Sequence, residues 1–148
     1  MDKRTRARQI AMQALYQLDV RGKEALEDIN RFFEESDEDP YCRELAKKWF
    51  TGTMENLEQC DKMIEHSTMK WSMSRLSLVD KCILRLAVYQ LCFCEDIPPK
   101  VAIDEGIELA KIYSSEKAPS FINGVLDAIM KKFPEKIQKI NLNIDKTT

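Results

Sequence analysis

The sequence predicts an all-α protein, a compact bundle of about six or seven helices, because apolar residues recur at threes and fours along nearly the whole chain and no alternating strand pattern persists. Two further observations agree. Only four glycines interrupt the 148 residues, and the five prolines fall between the apolar-periodic segments, where a missing backbone donor does least harm. With 44% hydrophobic and 32% charged residues, the composition suits a helical protein with a charged surface better than a disordered or fibrous one. The length fits one domain, 1–148. A domain of that size buries about 68 to 70% of the surface its unfolded chain exposes, so no metal or disulfide staple is required.

The first helix is predicted over residues 4–20, with Ala7, Ile10, Ala14, Leu15 and Leu18 inward and Arg21 and Gly22 as its stop. A short second helix carries Leu26, Ile29, Phe32 and Phe33. Residues 34–39 form an acidic connector that reads as a solvated loop. Asp39 before Pro40 is a helix-start signal, since aspartate caps free amides and proline in the first turn has no amide to leave unpaired. The third helix is expected to be the longest, a core wall with Cys42, Leu45, Trp49, Phe50, Thr53, Leu57, Cys60 and Ile64 at helical spacing.

Residues 69–77 read as a polar and aromatic connector. Ser77 followed by Asp80 resembles a capping box, with aspartate where glutamate or glutamine is usual. The fourth helix, 79–94, is apolar on several sides through Val79, Ile83, Leu84, Leu86, Ala87, Val88 and Leu91, as a helix surrounded by others must be, and it ends before Pro98 and Pro99. A fifth helix, 101–113, places Ile103, Ile107 and Ala110 on one side and Asp104, Glu105, Glu108 and Lys111 largely on others. A sixth, 119–133, turns Ile122, Val125, Leu126 and Ile129 inward and is closed by Pro134. Residues 134–148 offer Ile137, Ile140 and Ile144 with little else apolar, which predicts a loosely held tail.

Signatures of catalysis and metal binding are absent. Cys42, Cys60, Cys82, Cys92 and Cys94 are odd in number and lack repeated close pairing, which argues against a disulfide framework. Cys92 and Cys94 lie two apart on a helix and so point to nearly opposite faces, a poor start for a zinc site. Buried thiols are expected. The single histidine, His66, has no second histidine to complete a metal cluster or a triad and reads as an exposed helix-end residue. Gly52, Gly106 and Gly124 lie within helical patterns and make no phosphate-cradling loop. Asp104, Glu105 and Glu108 read as an exposed helical face. With no apolar run long enough to span a bilayer and no apolar signal core after the basic opening, the expected location is the cytoplasm.

That opening is the exception to an otherwise bland surface. Lys3, Arg4, Arg6 and Arg8 are packed into the first turns of a chain whose formal net charge is -2. Guanidinium groups fork onto phosphates and stack on bases, so the asymmetry points to an anionic partner, while ordinary solvated arginines account for the composition equally well. Arg85, inside an apolar helix, must meet a carboxylate or a phosphate, since an unpaired buried charge is costly; a structural salt bridge is the favoured reading.

Three segments carry a resemblance. IPPKVAIDEGIELAKIYSSEKAPSFINGVL at 97–126, VDKCILRLAVYQL at 79–91 and KRTRARQIAMQALYQLD at 3–19 together resemble the NusB family of bacterial transcription antitermination factors, in the same order. The resemblance implies a helical protein without catalytic activity or cofactor. It also implies binding to single-stranded box A RNA jointly with NusE, a small-ribosomal-subunit protein, and attachment to RNA polymerase through other Nus factors.

By this resemblance RNA contacts fall on the basic opening, Lys3, Arg4, Arg6 and Arg8, and on Gln13 and Tyr16, with Tyr16 equally readable as partly buried packing. A second RNA patch falls on Lys117, Ser120, Phe121 and Asn123, with core packing the competing reading for Phe121. The NusE face is implied around Ser74, Ser77, Asp80 and Lys81. Thr5 stands where the family often has arginine, Asp104 and Gly106 where asparagine and alanine are common, and Lys117 where an acidic residue occurs. Two other classes stay open: a module working with a separate ribosomal RNA methyltransferase chain, and a helical adaptor or homodimer without a direct RNA role.

Overall fold

The computed structural model describes residues 1–68 and 76–137. Seven α-helices follow one another, α1 (Lys3–Arg21), α2 (Ala25–Glu35), α3 (Pro40–Glu55), α4 (Leu57–Ser67), α5 (Leu78–Phe93), α6 (Pro99–Tyr113) and α7 (Ala118–Lys132), with a 3₁₀ turn (Gly22–Glu24) between α1 and α2 and no strand among the described residues. The all-α expectation holds.

The helix starts are built by local chemistry. Asp2 accepts from the amides of Arg4 (2.7 Å) and Thr5 (3.4 Å), Asp39 from those of Tyr41 (2.9 Å) and Cys42 (3.3 Å), and Ser77 from that of Asp80 (3.1 Å). Each interaction satisfies donors that the first turn leaves free. Gly22, at φ 74°, ends α1 in a left-handed conformation that other residues resist, and its amide returns to the Leu18 carbonyl.

Two expectations change. The long third helix is divided at Asn56, whose backbone leaves the helical region at φ -114° and ψ 20° and whose side-chain amide donates to the Gly52 carbonyl at 2.8 Å. A short polar side chain competing for backbone acceptors is a known way to interrupt a helix. The apolar spacing continues into α4, with Cys60 and Ile64 buried, so periodicity alone spans the break. At the other end, residues 134–137 form a further helical turn after Pro134, and Ile137 is buried in the core instead of loosely held. The rest of the expected tail lies outside the described residues.

α5 is the centre. Cys82, Ile83, Leu84, Leu86, Ala87, Val88, Tyr89, Gln90 and Leu91 are all buried, and α1, α3, α4, α6 and α7 pack around them. α3 comes closest at Gly52, where an added Cβ would overlap the Tyr89 phenol. Gly52→Ala is therefore expected to displace the Tyr89 ring and to lower stability by about 1–3 kcal/mol, despite the better helix propensity of alanine, and a shift in urea midpoint at constant m-value would measure it.

The charge that α5 carries into the bundle is paired. Arg85 on α5 donates twice to Asp61 on α4, from Nε (2.8 Å) and Nη2 (2.9 Å), with Asp19 on α1 at 3.8 Å. Burial pulls the Arg85 pKa down, but the Asp61 hydrogen bonds and the two nearby carboxylates more than reverse this. The salt-bridge reading of Arg85 is the one observed. All five cysteines are free thiols, four of them buried and Cys92 half-buried. Burial pushes Cys60, Cys82 and Cys92 up to about 12 and Cys94 up to about 11, so little thiolate forms near neutrality. His66 is exposed at the end of α4 and stacks on Phe133.

Candidate nucleic-acid interface

The basic opening occupies the first two turns of α1, held there by the Asp2 cap, and lies against the start of α3 and the connector before it. Lys3 Nζ sits 3.1 Å from Asp39, Arg4 Nε donates to the Tyr41 hydroxyl at 3.4 Å, and Arg6 Nε donates to Glu38 at 3.0 Å while its Nη2 bonds the same carboxylate oxygen. Arg6 Nη1 also donates to Gln9 at 3.2 Å. Lys3 and Arg4 are exposed and Arg6 is half-buried. The bonds to Asp39, Tyr41 and Glu38 raise the pKa of Lys3, Arg4 and Arg6 respectively, so all three carry full charge at any physiological pH.

Arg8 does not join this surface. Its side chain is 3% exposed: Nε donates to Gln90 of α5 at 3.0 Å, Nη1 lies 3.6 Å from Glu105 of α6, and the guanidinium sits 4.8 Å above the Trp49 ring. Burial lowers its pKa, with the Glu105 carboxylate opposing the shift. The expectation of a phosphate-facing Arg8 is corrected here. Arg8 lies one turn beyond Arg4 on nearly the same side of α1, but Arg4 stands at the open start of the helix whereas that next turn is covered by α3, α5 and α6, where a buried cation persists only with partners around it. Glu105 is likewise more than part of a solvated face: besides Arg8 it accepts from the Thr5 hydroxyl at 3.0 Å.

Further along α1, Gln13 is exposed and Tyr16 half-buried. Gln13 Nε2 donates to the Tyr113 hydroxyl at 3.0 Å, at the end of α6. Thr5 meets Glu105 and Gln13 meets Tyr113, so α6 runs beside α1 in the same direction, and the α6 to α7 turn arrives level with the middle of α1. Lys3 and Gln13 are separated by about 15 Å of helix rise. The second predicted patch follows that turn. Lys117, Ser120 and Asn123 are exposed, and Phe121 is half-buried against the core. The structure thus brings Gln13, Tyr16 and the start of α7 toward one end of the bundle and leaves Lys3, Arg4 and Arg6 at the near end of the same helix.

Of the predicted partner face, Ser77 is exposed and caps α5, whereas Asp80 and Lys81 are half-buried. Asp80 accepts from the Ser114 hydroxyl at 2.6 Å. Ser74 lies outside the described residues. Sequence reasoning missed Tyr41, which holds Arg4, and Tyr113, which holds Gln13. Phe32, one of the apolar residues carried by the second helix, is 41% exposed. Ile10, Gln13, Tyr16, Phe32, Val79 and Tyr113 line an open groove of about 490 Å³. The sequence signal for these three aromatics was only their place at helix edges.

No group of three or more histidine, cysteine or acidic side chains among the described residues is arranged to hold a metal ion, and none of the helices described is long and apolar enough to cross a membrane. What remains defines a class: an all-helical protein whose distinctive surface is a row of cations at the start of its first helix, followed along it by half-buried Tyr16 and the Gln13 contact to Tyr113 of α6. The chain belongs to the NusB family, whose sequence model matches residues 5–131. It is 44% identical over 136 residues to the transcription antitermination protein NusB of Syntrophus aciditrophicus, covering 92% of this chain and 84% of that protein. A NusB structure from T. maritima superimposes with a TM-score of 0.80 at 41% identity, over 93% of this chain and 98% of that one. A structure of antitermination factors NusB and NusE in complex with double-stranded RNA matches with a TM-score of 0.76 at 33% identity, over 89% of this chain and 98% of that one.

Proposed function

We propose that this protein is a transcription antitermination factor that holds box A in nascent ribosomal RNA together with NusE, so that RNA polymerase, engaged through other Nus factors, passes termination signals. It works in the cytoplasm and catalyses no reaction. The observation that carries this reading is the cationic row Lys3, Arg4 and Arg6 leading along α1 to Gln13 and Tyr16, beside the exposed Lys117, Ser120 and Asn123 of the next patch, in a chain of net charge -2. The cations attract phosphates without regard to sequence, and the amide and aromatic groups supply preference for particular bases. The solved NusB and NusE relative holds double-stranded RNA; we favour single strands here because Tyr16 and Phe121 can stack only on bases that are unpaired. Ser77, Asp80 and Lys81, with Ser74, are the proposed NusE face.

The test replaces Lys3, Arg4 and Arg6 with alanine together, leaving buried Arg8 alone because its removal would also damage the core. With about three phosphates neutralised, log affinity for single-stranded RNA should fall with log salt at a slope near -2, and the triple variant should lose roughly tenfold or more in affinity and most of that slope. Titrations of box A, scrambled and duplex RNA by fluorescence anisotropy, each with and without NusE, measure both quantities. Unchanged affinity with helical content intact defeats the reading.

A further inference from the structure

The segment between α2 and α3 is not a loose solvated loop. Arg43 Nη1 donates to the carbonyls of Glu34 (2.9 Å) and Ser36 (3.0 Å), the Glu38 amide donates to the Ser36 hydroxyl (3.4 Å), and Asp39 is fixed as the cap of α3. Pinned in this way, the segment points its last two carboxylates at the basic opening: Glu38 takes two donors of Arg6, and Asp39 lies 3.1 Å from Lys3. These pairs join residues 32 and 36 positions apart in the chain, counted as 38 minus 6 and 39 minus 3, so the fold assembles them. Two of the three surface cations assigned to phosphate binding therefore already hold an anion.

We propose that the 36–39 segment is a built-in competitor for RNA phosphate, with Glu38 and Asp39 occupying Arg6 and Lys3 until a phosphate-bearing strand displaces them. The inference rests on the RNA-binding reading above. A carboxylate matches the fork of a guanidinium much as a phosphate does, so both ligands use the same donors and cannot be bound to them at once. Displacement leaves two carboxylates beside the incoming phosphates, and that repulsion adds to the cost of exchange. The penalty falls on every strand that uses this edge. Strands that bind through phosphates alone are pushed toward negligible occupancy, while a strand that also engages groups further along α1 retains useful affinity.

Glu38→Gln and Asp39→Asn remove the competing charges with little change of shape, and asparagine caps a helix about as well as aspartate, so α3 keeps its start. The double variant is expected to bind single-stranded RNA carrying box A about three- to tenfold more tightly at low salt, given pairs that are only partly buried, with an equal gain on scrambled RNA. That gain should shrink as added salt screens the intramolecular pairs. In the unaltered chain, adding RNA should shift the carbon-13 resonance of the Glu38 carboxylate, a reading that does not depend on any variant folding. Equal or weaker binding by the double variant, or a Glu38 resonance indifferent to saturating RNA, overturns the competitor. If instead the Lys3, Arg4 and Arg6 triple variant binds normally, the RNA reading has failed and takes the competitor with it. A triple variant that loses affinity beside an unimproved double variant removes the competitor alone.

Discussion

Trp49→Ala is expected to lower stability by about 3–5 kcal/mol, the range for deleting a fully buried large aromatic. Trp49 is 1% exposed on α3 and packs where α1 and α5 meet that helix, and its ring is also the platform under the Arg8 guanidinium at 4.8 Å. Removing it opens a cavity and strips one of three supports from a buried cation, the others being Gln90 at 3.0 Å and Glu105 at 3.6 Å. Both losses act in the same direction. Trp49→Phe should cost roughly half as much or less, because it keeps an apolar ring under the charge. Urea unfolding followed by far-UV circular dichroism measures the series. A cost below about 1 kcal/mol for the alanine variant would mean that Trp49 is not packed as described.

Asp61→Ala should be nearly as damaging, at about 1.5–3 kcal/mol, because it leaves Arg85 charged, largely buried and without its two strongest acceptors. The Arg85 side chain is 13% exposed and Asp61 26%, so water partly compensates, and Asp19 at 3.8 Å is too far to replace a direct bond. The informative control is to replace both partners with apolar residues. Asp61→Leu with Arg85→Met should recover much of the loss, since an ion pair exchanged for packed hydrocarbon is often neutral. A double-mutant cycle with a coupling energy near zero would show that the two residues do not act as a pair.

Most of the architecture was legible because its signals are local. Asp39 with Pro40, Ser77 before α5 and the all-round apolarity of residues 79–94 act over a few positions, and each produced the expected start or the expected central helix. The division at Asn56 escaped because apolar spacing registers burial on both sides of a kink and is blind to a side-chain amide that bonds the Gly52 carbonyl. Arg8 escaped for the opposite reason: Gln90 and Glu105, which make its burial tolerable, lie on α5 and α6 and meet it only in the folded chain. The acidic connector was read as solvated because a run of carboxylates looks the same whether it faces water or arginine. At the proposed interface, only the fold separates half-buried Arg6 from Arg8 inside.

The 2.6 Å bond from Ser114 to Asp80 ties the beginning of α5 to the turn that leads into Lys117 and Phe121. The proposed protein-binding area and one of the proposed strand-binding areas thus share this fastening. An associate that draws the Asp80 carboxylate outward loosens the turn that positions Lys117, and a strand that settles that turn holds Asp80 in place. By thermodynamic reciprocity, each visitor must then alter the grip on the other by the same factor.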